Sequence, residues 1–260
     1  MLEKNIFLLW LQGWDNAWWL NKRVLESWQV NNPEWTVHLI DYSNLKNYVS
    51  DIDYIYDTGK TISPQAKSDI IRLSLLKNYG GIWADATMLC MQPLDHWVYD
   101  AVTPAGIWMY HGHGGGMDKE VGPASWFIVS EKNGYIISKW KEMCDDYWTN
   151  VQISLDFSWM DRLFKQSFEN DQTFAYLWLK CPYLYCNLDG QSNTFANHNM
   201  NDDTPHIKQL FLEKPPYALK FMRTWNDIFP DVTTQECMNS NGYYAIGLSG
   251  RQFIYNHEMT

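Results

Sequence analysis

Apolar residues in the first hundred positions follow two different rhythms. Ile6-Phe7-Leu8-Leu9-Trp10-Leu11 is an unbroken apolar run of strand length, the pattern of a parallel strand covered on both faces. Gln12-Gly13-Trp14-Asp15-Asn16 interrupts it, with Asp15 or Asn16 placed to cap a helix. Over residues 17–30 the period changes, and Trp18, Leu20, Val24, Leu25 and Trp28 recur at helical spacing. Asn31-Asn32-Pro33-Glu34 stops that helix, and residues 35–40 return to a β pattern. Strand, helix and strand of these lengths predict a right-handed βαβ crossover.

The next helix carries the clearest start signal, Ser63 as cap followed by Pro64 at the first helical position. Ile70, Ile71, Leu73, Leu75 and Leu76 give it apolar faces, and Asn78-Tyr79-Gly80-Gly81 ends it. Ile82-Trp83-Ala84 then reads as a short buried strand running into Asp85-Ala86-Thr87. Residues 105–110 and 125–129 are further β candidates. Residues 135–180 are mainly helical in pattern, around Trp140, Tyr147, Trp159, Leu163, Phe164, Phe174 and Leu177. Beyond Cys181 the chain is rich in Asn, Asp, Gly and Pro and reads as loops with short strands. No repeat or linker divides it, so residues 1–260 are read as one α/β domain whose last third folds back over the site.

Composition narrows the function more than the fold. Hydrophobic residues at 46% and charged residues at 19% exclude a disordered chain. A net charge of −10 repels phosphate backbones and excludes a general nucleic-acid partner, though a nucleotide can still bind in one locally positive pocket. No apolar run approaches the ~20 residues that span a bilayer, and the run at Ile6 is too short for a secretory core. Five cysteines without metal-type spacing read as reduced thiols, with Cys181 and Cys186 a possible pair, and a cytoplasmic protein is expected. The 15 Trp and 16 Tyr suit either core packing or stacking on sugar faces.

The chemistry concentrates between residues 66 and 87. Asp69 and Arg72, three positions apart, share one helix face, where an acceptor and a fork of donors can hold sugar hydroxyls. The alternative is a surface ion pair. Asp85 ends the following strand, the place where open α/β sheets bind ligands, and a hard acidic oxygen there suits Mg²⁺ or Mn²⁺ on a diphosphate.

Ser68-Asp69-x-x-Arg72, then Tyr79-Gly80-Gly81, a strand and Asp85 resemble the donor-binding core of glycosyltransferases of the DXD sugar-binding superfamily (family 32). The opening strand ending in Trp10 and Gly13, and the Asn32-Pro33-x-Trp35 turn, are similar to the same family's start. The Trp83-Ala84-Asp85-Ala86-Thr87 wording points to its capsular polysaccharide synthesis branch. The resemblance implies a GT-A-like Rossmann-type mixed sheet with flanking helices and a helical and loop C-terminal part. It implies a nucleotide-sugar donor (UDP- or GDP-sugar), a glycan acceptor, a divalent cation (Mn²⁺ or Mg²⁺) and retention of configuration. Trp10 would stack on the base beside Gly13, Asp69 and Arg72 would hold the sugar, and Asp85 would sit near ribose or metal. Thr87 departs from the pattern, standing where a second Asp ligates the cation.

Other ligands are then sought elsewhere. His206 and Lys208 are candidates for the cation and the diphosphate, against a structural loop role, with Asp202 and Asp203 as fallback oxygen ligands. Tyr110-His111-Gly112-His113-Gly114-Gly115-Gly116-Met117-Asp118 reads as a phosphate nest, an acceptor loop or a lipase-type oxyanion loop. The last lacks its G-x-S-x-G elbow. Asp161 or Asp156 can orient the acceptor hydroxyl or simply lie on a solvated helix face. The expected function is glycosyl transfer from a nucleoside diphosphate sugar. The alternatives are a catalytically silent nucleotide-sugar or carbohydrate-binding module and, on His111, His113 and Asp118, a metal-dependent hydrolase.

Overall fold

The apolar run near the N-terminus forms β1 (Asn5–Leu9), whose last four residues are buried, as expected of a strand covered on both faces. Helix α1 (Trp19–Asn31) follows and buries Leu20, Asn21, Val24, Ser27 and Trp28 along one stripe. The computed structural model describes residues 1–112, 121–154, 156–186, 203–208, 215–222 and 224–228, with Ala196, Glu213, Gly242 and Leu248. Strand β2 (Thr36–Ile40) completes the βαβ unit and pairs in parallel with β1, Ile6 opposite Val37 and Leu8 opposite Leu39.

Helix α2 (Pro64–Tyr79) begins where its cap predicts, with Ser63 Oγ accepting from the Ala66 N–H at 3.1 Å. Its end depends on glycine. Gly80 (φ 67°) donates its N–H to Leu76 O, and Gly81 (φ 107°) opens β3 (Gly81–Ala84). Both lie in the left-handed region, and a Cβ on Gly81 would run into the Asn5 carbonyl of β1. The glycine pair therefore lets the helix fold back and its strand lie in parallel beside β1, with Ile6 opposite Ile82.

Strand β4 (Met88–Cys90), helix α3 (Val98–Val102), β5 (Ile107–His111) and β6 (Pro123–Ser130) come next. The five-stranded sheet runs β2-β1-β3-β6-β5, parallel over its first three strands and antiparallel at β3–β6 and β6–β5. Helices α4 (Tyr135–Asn150), α5 (Trp159–Asn170) and α6 (Gln172–Trp178) make up the stretch expected to be helical. Beyond them lie α7 (Pro205–Lys208), β7 (Ala218–Lys220) and α8 (Trp225–Ile228). Strands β7 and β4 pair in a separate antiparallel ladder that the local pattern did not predict. A mixed sheet flanked by helices is the fold class expected.

The aromatic surplus goes largely into the core. Trp28, Trp83, Trp108, Trp140, Trp148, Trp159, Trp178 and Trp225 are fully buried. Trp28 stacks on Phe127 of β6 and donates to Met88 O at 2.7 Å, while Asn21 donates to Ala86 O at 2.7 Å. Helix α1 thus grips the turn that carries Asp85. The thiols of Cys90, Cys144, Cys181 and Cys186 are free and buried. No helix among the described residues is long and apolar enough to cross a membrane.

Candidate active site

The carboxyl ends of β1 and β3 open into a cavity of about 480 Å³. Its walls come from six places: the end of β1 with residues 10–12, the start of α2, Trp83 with the turn at residues 85–87, the start of β6, α5 with Phe157 before it, and the chain leaving β7. A crevice beyond the strand ends is where a sheet of this kind binds ligands, because the chain turns away there and exposes backbone and loop groups.

The turn after β3 is fixed by backbone bonds before any side chain acts. Asp85 N donates to Trp126 O at 2.9 Å, Met88 N to Asp85 O at 2.8 Å, and Phe221 N to Thr87 O at 2.9 Å. The last bond ties the turn to the chain leaving β7.

Arg72 is buried and central. Its Nη2 lies 3.0 Å from Asp69 Oδ1 and 3.6 Å from Asp85 Oδ1, and its Nη1 donates to Ser125 O at 2.6 Å. The guanidinium also rests over the Trp83 ring, 5.0 Å from its centre, while its buried Nε has no partner among the described residues. Asp69 and Arg72 are therefore not a surface pair: both line the cavity. Burial pushes the Asp69 carboxyl up to about 7; Arg72 opposes this, and the nearby Asp85 and Asp161 reinforce it. Burial also acts to raise Asp85, but Lys220 and Arg72 outweigh it and hold that carboxyl below its ordinary value.

Lys220, the last residue of β7, is the cavity residue that sequence reasoning missed. Its Nζ lies 2.8 Å from Asp85 Oδ2 and 2.8 Å from Thr87 Oγ1. The remaining carboxylate oxygen, Asp85 Oδ1, accepts from Trp83 Nε1 at 3.1 Å. A lone lysine in Tyr217-Ala218-Leu219-Lys220-Phe221 carries no motif signal. Only the ladder with β4, which sets Lys220 opposite Met88, delivers it to the site.

The other expected residues separate into groups. Trp10 is half-buried on the cavity wall, edge-on to Trp18 at 5.3 Å between ring centres. Gly13 (φ 91°) is not on the wall; it closes the turn after Trp10, its N–H donating to Trp10 O at 3.0 Å. Asp161 lines the cavity from α5, whereas Asp156 is exposed and paired with Arg162. His206 and Lys208 do not line it: α7 is anchored by buried Ile207, and both neighbours stand exposed, as does Asp203. His113, Asp118 and Asp202 lie outside the described residues. His111 is buried, stacked on Trp178, and held near neutrality by burial, which lowers it to about 4.

Among the described residues, the donor set at this turn does not fit a divalent cation. Both oxygens of the Asp85 carboxylate already accept from nitrogen donors, and its neighbour in the turn is a neutral hydroxyl. Among the described residues no group of three or more His, Cys, Asp or Glu side chains is arranged to hold a metal ion. Hard divalent cations favour several anionic oxygens, and this corner offers one carboxylate already beside an ammonium.

A family model described as "Capsular polysaccharide synthesis protein" matches residues 1–211. The chain is 29% identical over 164 residues to "Glycosyltransferase afumC" of Aspergillus fumigatus, covering 57% of this chain and 39% of that protein. It is 28% identical over 175 residues to "O-glycosyltransferase braB" of Annulohypoxylon truncatum, covering 58% and 39%. It thus spans 39% of the length of each of these two curated relatives. Among solved structures, the chain titled "PaToxG Glycosyltransferase" aligns with a TM-score of 0.44 at 20% identity, over 65% of this chain and 69% of that one. Lys220 lies beyond the residues that the family model matches.

Proposed function

The chain belongs to the capsular polysaccharide synthesis protein family, and from that footing we propose that it transfers a glycosyl group from a nucleoside diphosphate sugar to a glycan hydroxyl. The observation that carries the reading is the Asp69–Arg72–Asp85 constellation at the ends of β1 and β3, inside a cavity rimmed by an indole. The names of the curated relatives support glycosyl transfer in general.

In this reading the Trp10 ring stacks on the base. Asp69 accepts hydrogen bonds from sugar hydroxyls, and the unused donor capacity of Arg72 serves the sugar or the phosphate beside it. Asp161, on the α5 wall, orients the acceptor hydroxyl. The bond between the anomeric carbon and the diphosphate oxygen breaks with its electron pair leaving on the diphosphate. The acceptor oxygen bonds to that carbon, and its proton passes to the departing phosphate. We take the course to be retention, as the family resemblance implies.

The test is nucleoside diphosphate release from a panel of UDP- and GDP-sugars, with and without glycan acceptors, and NMR of the product anomer. Release from one donor, with a glycoside formed when acceptor is present, is expected. Tight binding without release would make the chain a silent nucleotide-sugar module.

A further inference from the structure

We propose that Lys220 stands in the place of the divalent cation, so that donor binding and transfer in this chain proceed without a metal. The inference rests on the nucleotide-sugar reading and deepens it.

Three observations support it. The first is position: a single nitrogen lies 2.8 Å from both Asp85 Oδ2 and Thr87 Oγ1, the two side chains of the turn that would otherwise face a metal. The second is charge. An Asp-x-Asp pair around a divalent ion sums to zero, and Asp85, Thr87 and Lys220 also sum to zero. The change from Asp to Thr, puzzling in the sequence alone, is matched when a lysine of half the ionic charge replaces the metal. Keeping a second Asp beside Lys220 would leave the corner negative and repel a diphosphate. A divalent cation brought to Asp85 would in turn have to displace or lie against the ammonium.

The third is rigidity. Lys220 is brought in by backbone, through the β4–β7 pairs and the Phe221 N–Thr87 O bond, and its side chain is only 13% exposed. An ammonium has three N–H donors, and Asp85 and Thr87 take two. The third is left for a phosphate oxygen, with Arg72 as the second cation on the cavity wall. As the glycosidic bond breaks, the charge growing on the leaving diphosphate is met by these fixed donors, which need not reorganise.

The experiment titrates uridine diphosphate and guanosine diphosphate into the chain by calorimetry, once with EDTA and once with excess Mn²⁺. Free Mn²⁺ is read in parallel by electron paramagnetic resonance. One diphosphate should bind with the same affinity in both conditions, with no Mn²⁺ taken up beyond what the free diphosphate holds. Lys220→Met should weaken that binding by about tenfold or more, the size of one charge-assisted hydrogen bond, and Lys220→Arg should restore part of it. Binding that appears only with Mn²⁺ would overturn the inference and leave the nucleotide-sugar reading standing. Failure of both diphosphates to bind in either condition would overturn that reading, and this inference with it. The wild-type titrations decide between these outcomes even if Lys220→Met does not fold.

Discussion

Helix α2 contributes to two charge clusters, each with a lysine between acceptors. In one, Lys141 of α4 is wholly buried, 3.2 Å from Asp51 and 2.5 Å from Asp145. Ser74 of α2 donates to Asp51 and Tyr54 to Asp145 at 2.7 Å, so every group is answered from within the protein. In the other, Lys220 pairs directly with Asp85 and Arg72 with Asp69 on the lining of a cavity, and the third donor of the Lys220 ammonium has no described partner. The two share a chemistry and differ in closure. The first cluster ties α4 and the loop before α2 to the helix; the second leaves a donor on the lining of a cavity. Ion pairing alone does not mark a site: unspent hydrogen-bonding capacity facing a cavity does.

The sharpest way to break that contrast is to remove each centre in turn. Lys141→Met leaves two carboxylates, each about a third exposed, without their cation and should cost about 1–3 kcal/mol of stability, read by urea unfolding, while diphosphate affinity of the folded fraction stays unchanged. If stability is unmoved, the closed cluster is not a structural lock. Asp85→Asn should act chiefly on catalysis. It keeps the shape of the side chain but leaves Lys220 and Arg72 without their charged partner, so some stability goes with it, while kcat falls by about 10²–10³. Full donor turnover in that variant would mean that the site has been misplaced.

Protonation separates the clusters more finely. The folded-state value of Asp69 is about 7, above the ordinary 3.8. Between these values the folded chain holds a proton that the unfolded chain has released. Stability therefore falls as pH rises from about 4 to 7, with Asp69 contributing a few kcal/mol to that fall. Asp69→Asn should flatten the slope; an unchanged slope would locate the effect in another group. Asp51 and Asp85 are both held below their ordinary values, so what they contribute is lost only as pH drops below about 4.

The smallest effect is expected at the rim. If the indole of Trp10 stacks on a base, Trp10→Ala should weaken diphosphate binding by ~1–3 kcal/mol, and Trp10→Phe by less. Unchanged affinity in both would return Trp10 to a packing role beside Trp18.

Most of what the local pattern encodes was legible in advance. The first βαβ unit, the Ser63–Pro64 helix start, the glycine stop and the strand before Asp85 appear where the periodicity places them. Asp69, Arg72, Asp85 and Asp161 line the same cavity, from α2, the turn after β3 and α5, and of these the strand-end rule concerned Asp85 alone. What could not be read was the partner of Thr87. His206 and Lys208 offered the right atoms in a recognisable loop, but α7 turns them outward around Ile207. The cation that does arrive comes from a three-residue strand, too short for periodicity to announce and paired with a strand far away in sequence.

Asp85 and Lys220 are separated by 135 residues, and the strands that join them share three register pairs. The parallel pairs of β1 with β2 and β3 close within the first third of the chain, while the β4–β7 ladder must first confine a long loop. If the site holds a diphosphate, that competence should therefore come late in folding. A refolding chain should regain its helical circular dichroism first and its ligand affinity afterwards, and the lag between them times the docking of one short strand.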